Sequence, residues 1–98
     1  MDETRLMAPA GRGIRVRYWA AAKAAARVSE DRIETSHDLS LTEVRERAVA
    51  LHPHSGLAEV LAACSTLIGD QPVGSASPDH VRIAPGQCVE FLPPFAGG

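Results

Sequence analysis

Cysteine and aromatic residues are few in this chain: two Cys, one Trp, one Tyr and two Phe among 98 residues. Two cysteines cannot build a disulfide framework, and the separation of Cys64 from Cys88 matches no zinc-ligand spacing. Both are expected to be buried or half-buried thiols in a reducing, cytoplasmic environment. Long hydrophobic runs are missing as well. The longest unbroken apolar stretches, residues 18–22 and 60–64, fall far short of the roughly 20 residues that span a bilayer. Residues 1–13 contain no apolar stretch resembling a secretory signal, so no membrane association is expected. Nor is there an excess of basic charge, because 10 Lys+Arg face 12 Asp+Glu for a net −2. Residues 1–27 carry six basic and two acidic side chains, whereas residues 28–98 carry four and ten. An acidic body without clustered basic and aromatic groups argues against nucleic acid as a partner.

The chain is long enough for one hydrophobic core and too short for two. Residues 1–12 show no apolar periodicity and are expected to be a frayed lead-in to a domain covering residues 13–98. Residues 13–19 alternate apolar and charged, the two-residue period of a half-buried strand. Ile14, Val16 and Tyr18 would face the core, with Arg15 and Arg17 in water. Residues 20–27 are almost all alanine, which favours a short helix of low bulk. Residues 32–35 are a second expected strand, with Ile33 as its core residue.

Ser40-Leu41-Thr42-Glu43 has the form of a capping box, which predicts a helix carrying Leu41, Val44, Ala48 and Leu51 on its buried stripe. His52-Pro53 ends it. Leu57, Val60, Leu61 and Cys64 form a second helical stripe. Residues 65–68, the turn Gly69-Asp70 and the residues around Val73 read as strand, turn, strand. Residues 75–81 read as loop. Ala84-Pro85-Gly86-Gln87 places Pro and Gly where a type II turn needs them. A last strand follows over residues 87–92, with Val89 and Phe91 on one face and Cys88, Glu90 and Leu92 on the other. Strands and helices interleaved in this way predict an α+β fold, a small mixed sheet with helices on one face.

No self-sufficient catalytic constellation is present. The serines lack the G-x-S-x-G setting, and no phosphate-cradling glycine loop occurs. His52-Pro53-His54 has no third ligand nearby, so a metal is not expected. The end of the chain is more informative. The last strand runs into Pro93-Pro94-Phe95-Ala96-Gly97-Gly98. Two prolines favour an extended exit, and glycines can thread a channel too narrow for side chains. A terminal carboxylate becomes an electrophile once ATP converts it to an acyl-adenylate, which a sulfur nucleophile can then attack.

Phe91-Leu92-Pro93-Pro94-Phe95-Ala96-Gly97-Gly98 resembles the tail of the MoaD/ThiS sulfur carriers, above all the small subunit of molybdopterin synthase. Residues 14–22 resemble that family's first strand and the alanine-rich segment after it, and Pro85-Gly86-Gln87 sits where the family turns into its last strand. Gln87 stands where an acidic residue is usual, and Gly69-Asp70 where Asn-Gly is more typical. The resemblance implies a ubiquitin-like β-grasp fold and no tightly bound cofactor. It implies that the Gly98 carboxylate is adenylated by an E1-like enzyme using ATP, and that a persulfide donor converts it to a thiocarboxylate. The sulfur would then pass to the large catalytic subunit of molybdopterin synthase within a heterotetramer, for molybdenum cofactor synthesis. Leu92, Pro93, Pro94 and Phe95 would form an apolar collar at the partner's entrance, with Ala96, Gly97 and Gly98 threading inward. Two other readings share the adenylate: a carrier for thiamine or cysteine synthesis, and a ubiquitin-like modifier joined to lysines through Gly98.

Overall fold

Strand β1 (Gly13–Tyr18) forms where the alternation predicts it, with Ile14, Val16 and Tyr18 buried and Arg15 exposed. The computed structural model describes residues 13–94. The expected lead-in at residues 1–12 and the tail residues Phe95, Ala96, Gly97 and Gly98 lie outside the described residues. Helix α1 (Ala20–Ala26) follows at once, burying Ala22 and Ala26. Arg27 closes it in the left-handed conformation (φ 68°), its N–H bonding the Lys23 carbonyl. Strand β2 (Glu30–Glu34) starts two residues before its expected position, because it pairs antiparallel with β1 from Glu30 opposite Arg17 to Glu34 opposite Gly13.

The capping box at Ser40 is complete. Ser40 Oγ accepts from the Glu43 N–H at 3.0 Å, and Glu43 Oε1 accepts from the Ser40 N–H at 2.8 Å. These bonds, above all the one that the Ser40 amide donates to the ionised carboxylate, hold Glu43 below the usual carboxylate range. They launch helix α2 (Leu41–Leu51), which buries Leu41, Val44 and Ala48. Leu51 departs from expectation. It is 52% exposed, although Val49 packs against the core and His52 meets Tyr18, so the stripe is left uncovered at this one position. Helix α3 (Leu57–Ala63) buries Leu57 and Leu61, with Val60 and Cys64 half-buried at the margin.

Two short strands, β3 (Leu39–Ser40) and β6 (Arg82–Ile83), pair with each other beside the main sheet. The expected loop at residues 75–81 contains a single 3-10 turn (Pro78–His80), pinned to α2 by a hydrogen bond from Thr42 Oγ1 to Asp79 Oδ1. Strand β4 (Ser65–Ile68) and strand β5 (Gln71–Pro72) are joined through Gly69, whose φ of 63° suits the first position of a two-residue hairpin loop. The type II turn before β7 (Cys88–Leu92) is also as predicted. Gly86 has φ 96°, and the Gln87 N–H reaches the Ala84 carbonyl at 3.1 Å. Gln87 Oε1 accepts the Ala84 N–H in return at 2.7 Å.

The main sheet has the order β2-β1-β7-β4-β5, with β1 and β7 parallel and the other pairs antiparallel. Its inner face carries Ile14, Val16, Tyr18, Ile33, Val89 and Phe91, which pack against α1, α2 and α3 in one core. This is the α+β β-grasp fold: a mixed five-stranded sheet with three helices.

Candidate functional site

The last strand lies at the centre of the sheet, hydrogen-bonded to β1 on one side and β4 on the other. Its core-facing residues Val89 and Phe91 are fully buried, so the strand that leads into the tail is anchored along its length. The ladder ends sharply. The Trp19 N–H donates to the Phe91 carbonyl at 3.0 Å, one residue past the end of β1. Leu92 is opposite Ser65. Pro93 and Pro94 then have no N–H to offer, so strand pairing stops and the exposed prolines leave the body.

The corner between β1 and α1 shapes this exit. Ala20 adopts φ 49°, a left-handed conformation that costs a residue with a Cβ about 1–2 kcal/mol. The corner turns the chain from strand to helix within one residue. Tyr18 thus points into the core and Trp19 onto the sheet's open face, 40% exposed. Three contacts fix the indole there. Its Nε1 donates to Glu90 Oε1 at 2.9 Å, the Arg17 guanidinium lies 5.0 Å from its ring centroid, and the backbone N–H of Trp19 is held by the Phe91 carbonyl. Further along that face, Arg15 and Arg17 lie 3.8 and 3.9 Å from the Glu30 carboxylate. The open face therefore combines charge on β1 and β2 with half-buried Leu67 and Leu92 on β4 and β7.

Beside the exit lies a groove of about 360 Å³ between α1 and α3. Ala21, Val60, Ala63 and Cys64 line it, Trp19 forms its rim and Pro93 and Pro94 one wall. Among the described residues lining it, Glu59 alone carries charge. Three residues of the expected collar, Leu92, Pro93 and Pro94, thus stand at the end of the central strand, with Pro93 and Pro94 on the groove wall and Leu92 paired opposite Ser65. The expected roles of Phe95, Ala96, Gly97 and Gly98 fall outside the described residues.

Sequence reasoning had not singled out Trp19, Val60 or Ala63 as site residues. Trp19 could have been found by continuing the alternation of Arg15 and Arg17 by one more step onto the same face. The groove residues leave no such signal, because their proximity depends on how α3 packs against α1.

Other titratable groups are engaged in structure. Tyr18 Oη donates to Asp31 Oδ2 at 2.8 Å, and His52 Nε2 lies 2.5 Å from the same oxygen. His52 therefore ties the end of α2 to β2, while neighbouring His54 is exposed with φ 63°. No three His, Cys, Asp or Glu side chains converge on a common point among the described residues. Cys64 and Cys88 are free and half-buried, and burial pushes both thiols above their ordinary range. Among the described residues no helix is long and apolar enough to cross a membrane.

No protein-family model matches this chain, and no curated protein matches it. Solved structures do. The small archaeal modifier SAMP1 of Haloferax volcanii superimposes with a TM-score of 0.68 at 17% identity, covering 88% of this chain and 99% of that one. Subunit 1 of the molybdopterin-converting factor of Helicobacter pylori, solved in complex with subunit 2, gives 0.56 at 23% identity over 88% and 99%. Urm1 of Trypanosoma brucei gives 0.55 at 13% identity over 89% and 96%. At these identities the likeness is one of fold, the ubiquitin-like β-grasp.

Proposed function

We propose that this chain is a sulfur carrier whose Gly98 carboxylate is activated and thiocarboxylated, and that it donates sulfur to the large subunit of a molybdopterin synthase. The observation that carries this reading is the exit of β7. A centrally anchored strand ends at Pro93-Pro94 beside a largely apolar groove, on a ubiquitin-like fold whose sequence continues to Gly97-Gly98. In this reading the chemistry belongs to partners that act on the Gly98 carboxylate.

A carboxylate oxygen of Gly98 attacks the α-phosphorus of ATP in an E1-like enzyme, and pyrophosphate leaves. The terminal sulfur of a persulfide then attacks the acyl-adenylate carbonyl, expelling AMP and forming an acyl disulfide. A thiol takes the distal sulfur of that disulfide, and the thiocarboxylate is released. The carrier's task is presentation: its rigid body and proline-stiffened exit bring the end of the chain into an active site in one orientation. Burial keeps Cys64 and Cys88 protonated and poorly nucleophilic, which suits a protein whose sulfur is carried elsewhere.

The likeness to SAMP1 favours a second reading, a ubiquitin-like modifier joined to lysines through the same adenylate. One experiment separates the two. Intact-mass spectrometry follows the chain after incubation with the activating enzyme, ATP and a persulfide donor. A sulfur carrier gains the mass of sulfur for oxygen, located on Gly98, and the Gly98-deleted chain does not. A modifier instead appears in an amide bond to a target lysine. Sulfur on Cys64, on Cys88 or on the shortened chain would refute the carrier reading. Co-purification then identifies the acceptor, since a carrier for thiamine or cysteine synthesis would elute with a different acceptor protein.

A further inference from the structure

We propose that the groove between α1 and α3 receives an apolar side chain of the enzyme that activates Gly98, with a Lys or Arg beside it for Glu59. This inference rests on the sulfur-carrier reading and names a second contact that the reading does not require.

Tail length is the first argument. Gly98 lies four residues beyond Pro94. At about 3.3–3.6 Å per extended residue, those residues reach roughly 14 Å at most. An enzyme holding the Gly98 carboxylate against ATP must therefore bring its own surface that close to Pro94. The groove begins at Pro94, which forms one of its walls together with Pro93. The mouth of the enzyme's channel thus meets the groove as a consequence of the short tail.

The lining supplies the chemistry. Exposed Ala21 and Ala63 leave space that larger side chains would fill, while half-buried Val60 and Cys64 make the floor apolar. Glu59, the charged group among the lining residues, is exposed and complements a basic side chain. The rim is already in place, because Glu90 and Phe91 hold Trp19. A preformed pocket loses little freedom on binding, so one inserted side chain contributes efficiently. Contact here would let the enzyme recognise the folded body as well as a Gly-Gly end.

Carrier-dependent ATP–pyrophosphate exchange by the activating enzyme of the same cells tests this. Ala63→Phe and Ala21→Leu fill the groove, Glu59→Lys reverses its charge, and Ala50→Leu on the exposed side of α2 is the control. Circular dichroism and Tm verify folding. The filled variants should raise KM for the carrier at least tenfold with kcat within twofold of wild type. Glu59→Lys should raise KM several-fold, with the difference narrowing at high salt, and the control should match wild type. Wild-type KM for both filled variants and for Glu59→Lys would overturn the inference while leaving the carrier reading intact. If a filled variant unfolds, Glu59→Lys and the remaining one decide. Absence of exchange with the wild-type chain would overturn both readings together.

Discussion

Trp19 and Glu90 stand 71 positions apart and are joined by a 2.9 Å hydrogen bond from the indole Nε1 to Oε1. The parallel pairing of β1 with β7 creates that neighbourhood, since Arg17 is in register with Glu90 and Trp19 follows two residues later on the same face. The bond links the first strand to the one that leads into the tail, at the point where the tail departs. Removing the acceptor should therefore free the indole without unfolding the protein. Glu90→Ala is expected to red-shift the emission of Trp19, the only tryptophan in the chain. Because the bond is exposed, unfolding free energy should fall by no more than about 1 kcal/mol. Unchanged emission would show that Glu90 does not hold the ring.

Ala20 reverses an ordinary substitution rule. Glycine in place of alanine in a helix usually costs about 0.5–1 kcal/mol. At φ 49° the strain belongs to the alanine, so Ala20→Gly should be neutral or stabilise by up to about 1 kcal/mol in urea unfolding. A loss of the ordinary helical size would mean that Ala20 is unstrained.

Tyr18 makes stability sensitive to alkaline pH. Burial first, then the Asp31 hydrogen bond and charge, push the phenol well above its ordinary range. The folded protein thus retains a proton that the unfolded chain gives up near pH ~10. Stability is fully present below that pH and falls as pH rises above it. Wild-type Tm should drop through this region, whereas Tyr18→Phe should show a flatter alkaline limb. At neutral pH the variant should lose about 1 kcal/mol for the missing hydrogen bond.

The capping box acts at the opposite end of the scale. Ser40→Ala should cost about 1 kcal/mol. Glu43 is held low chiefly by the Ser40 amide, so its contribution is present above the ordinary Glu value and lost as pH falls through the folded one. Glu43→Gln should flatten the acid limb of a Tm–pH profile, and an unchanged limb would exclude this role.

Leu51 and Leu61 look alike in the hydrophobic pattern and differ in space. Leu61→Ala should cost about 2–5 kcal/mol, as expected for a buried leucine. Leu51→Ala should stay within about 0.5 kcal/mol of wild type, because the side chain is half in water. Urea midpoints for the two variants check the contrast.

What the sequence determined by itself was local. Alternation over residues 13–19 and 87–92, the Ser40 capping box and the Pro85-Gly86 turn each depend on side chains a few positions apart; the box and the turn formed as read, and each strand formed one residue shorter than its alternation. The Gly97-Gly98 ending pointed to a site only through the resemblance of the whole tail, and it lies outside the described residues. The tertiary structure decided what depends on distant partners. Leu51 satisfies the helical period, yet it is left exposed while Val49 and His52 beside it reach the core, so coverage depends on which distant element packs over each position. The beginning of β2 was set by its register with β1, which no residue near Glu30 encodes. The groove exists only because α1 packs against α3 while the two prolines that follow β7 form one of its walls. Periodicity along one chain specifies which side of an element is apolar; long-range packing alone specifies which parts of that side stay open to a partner.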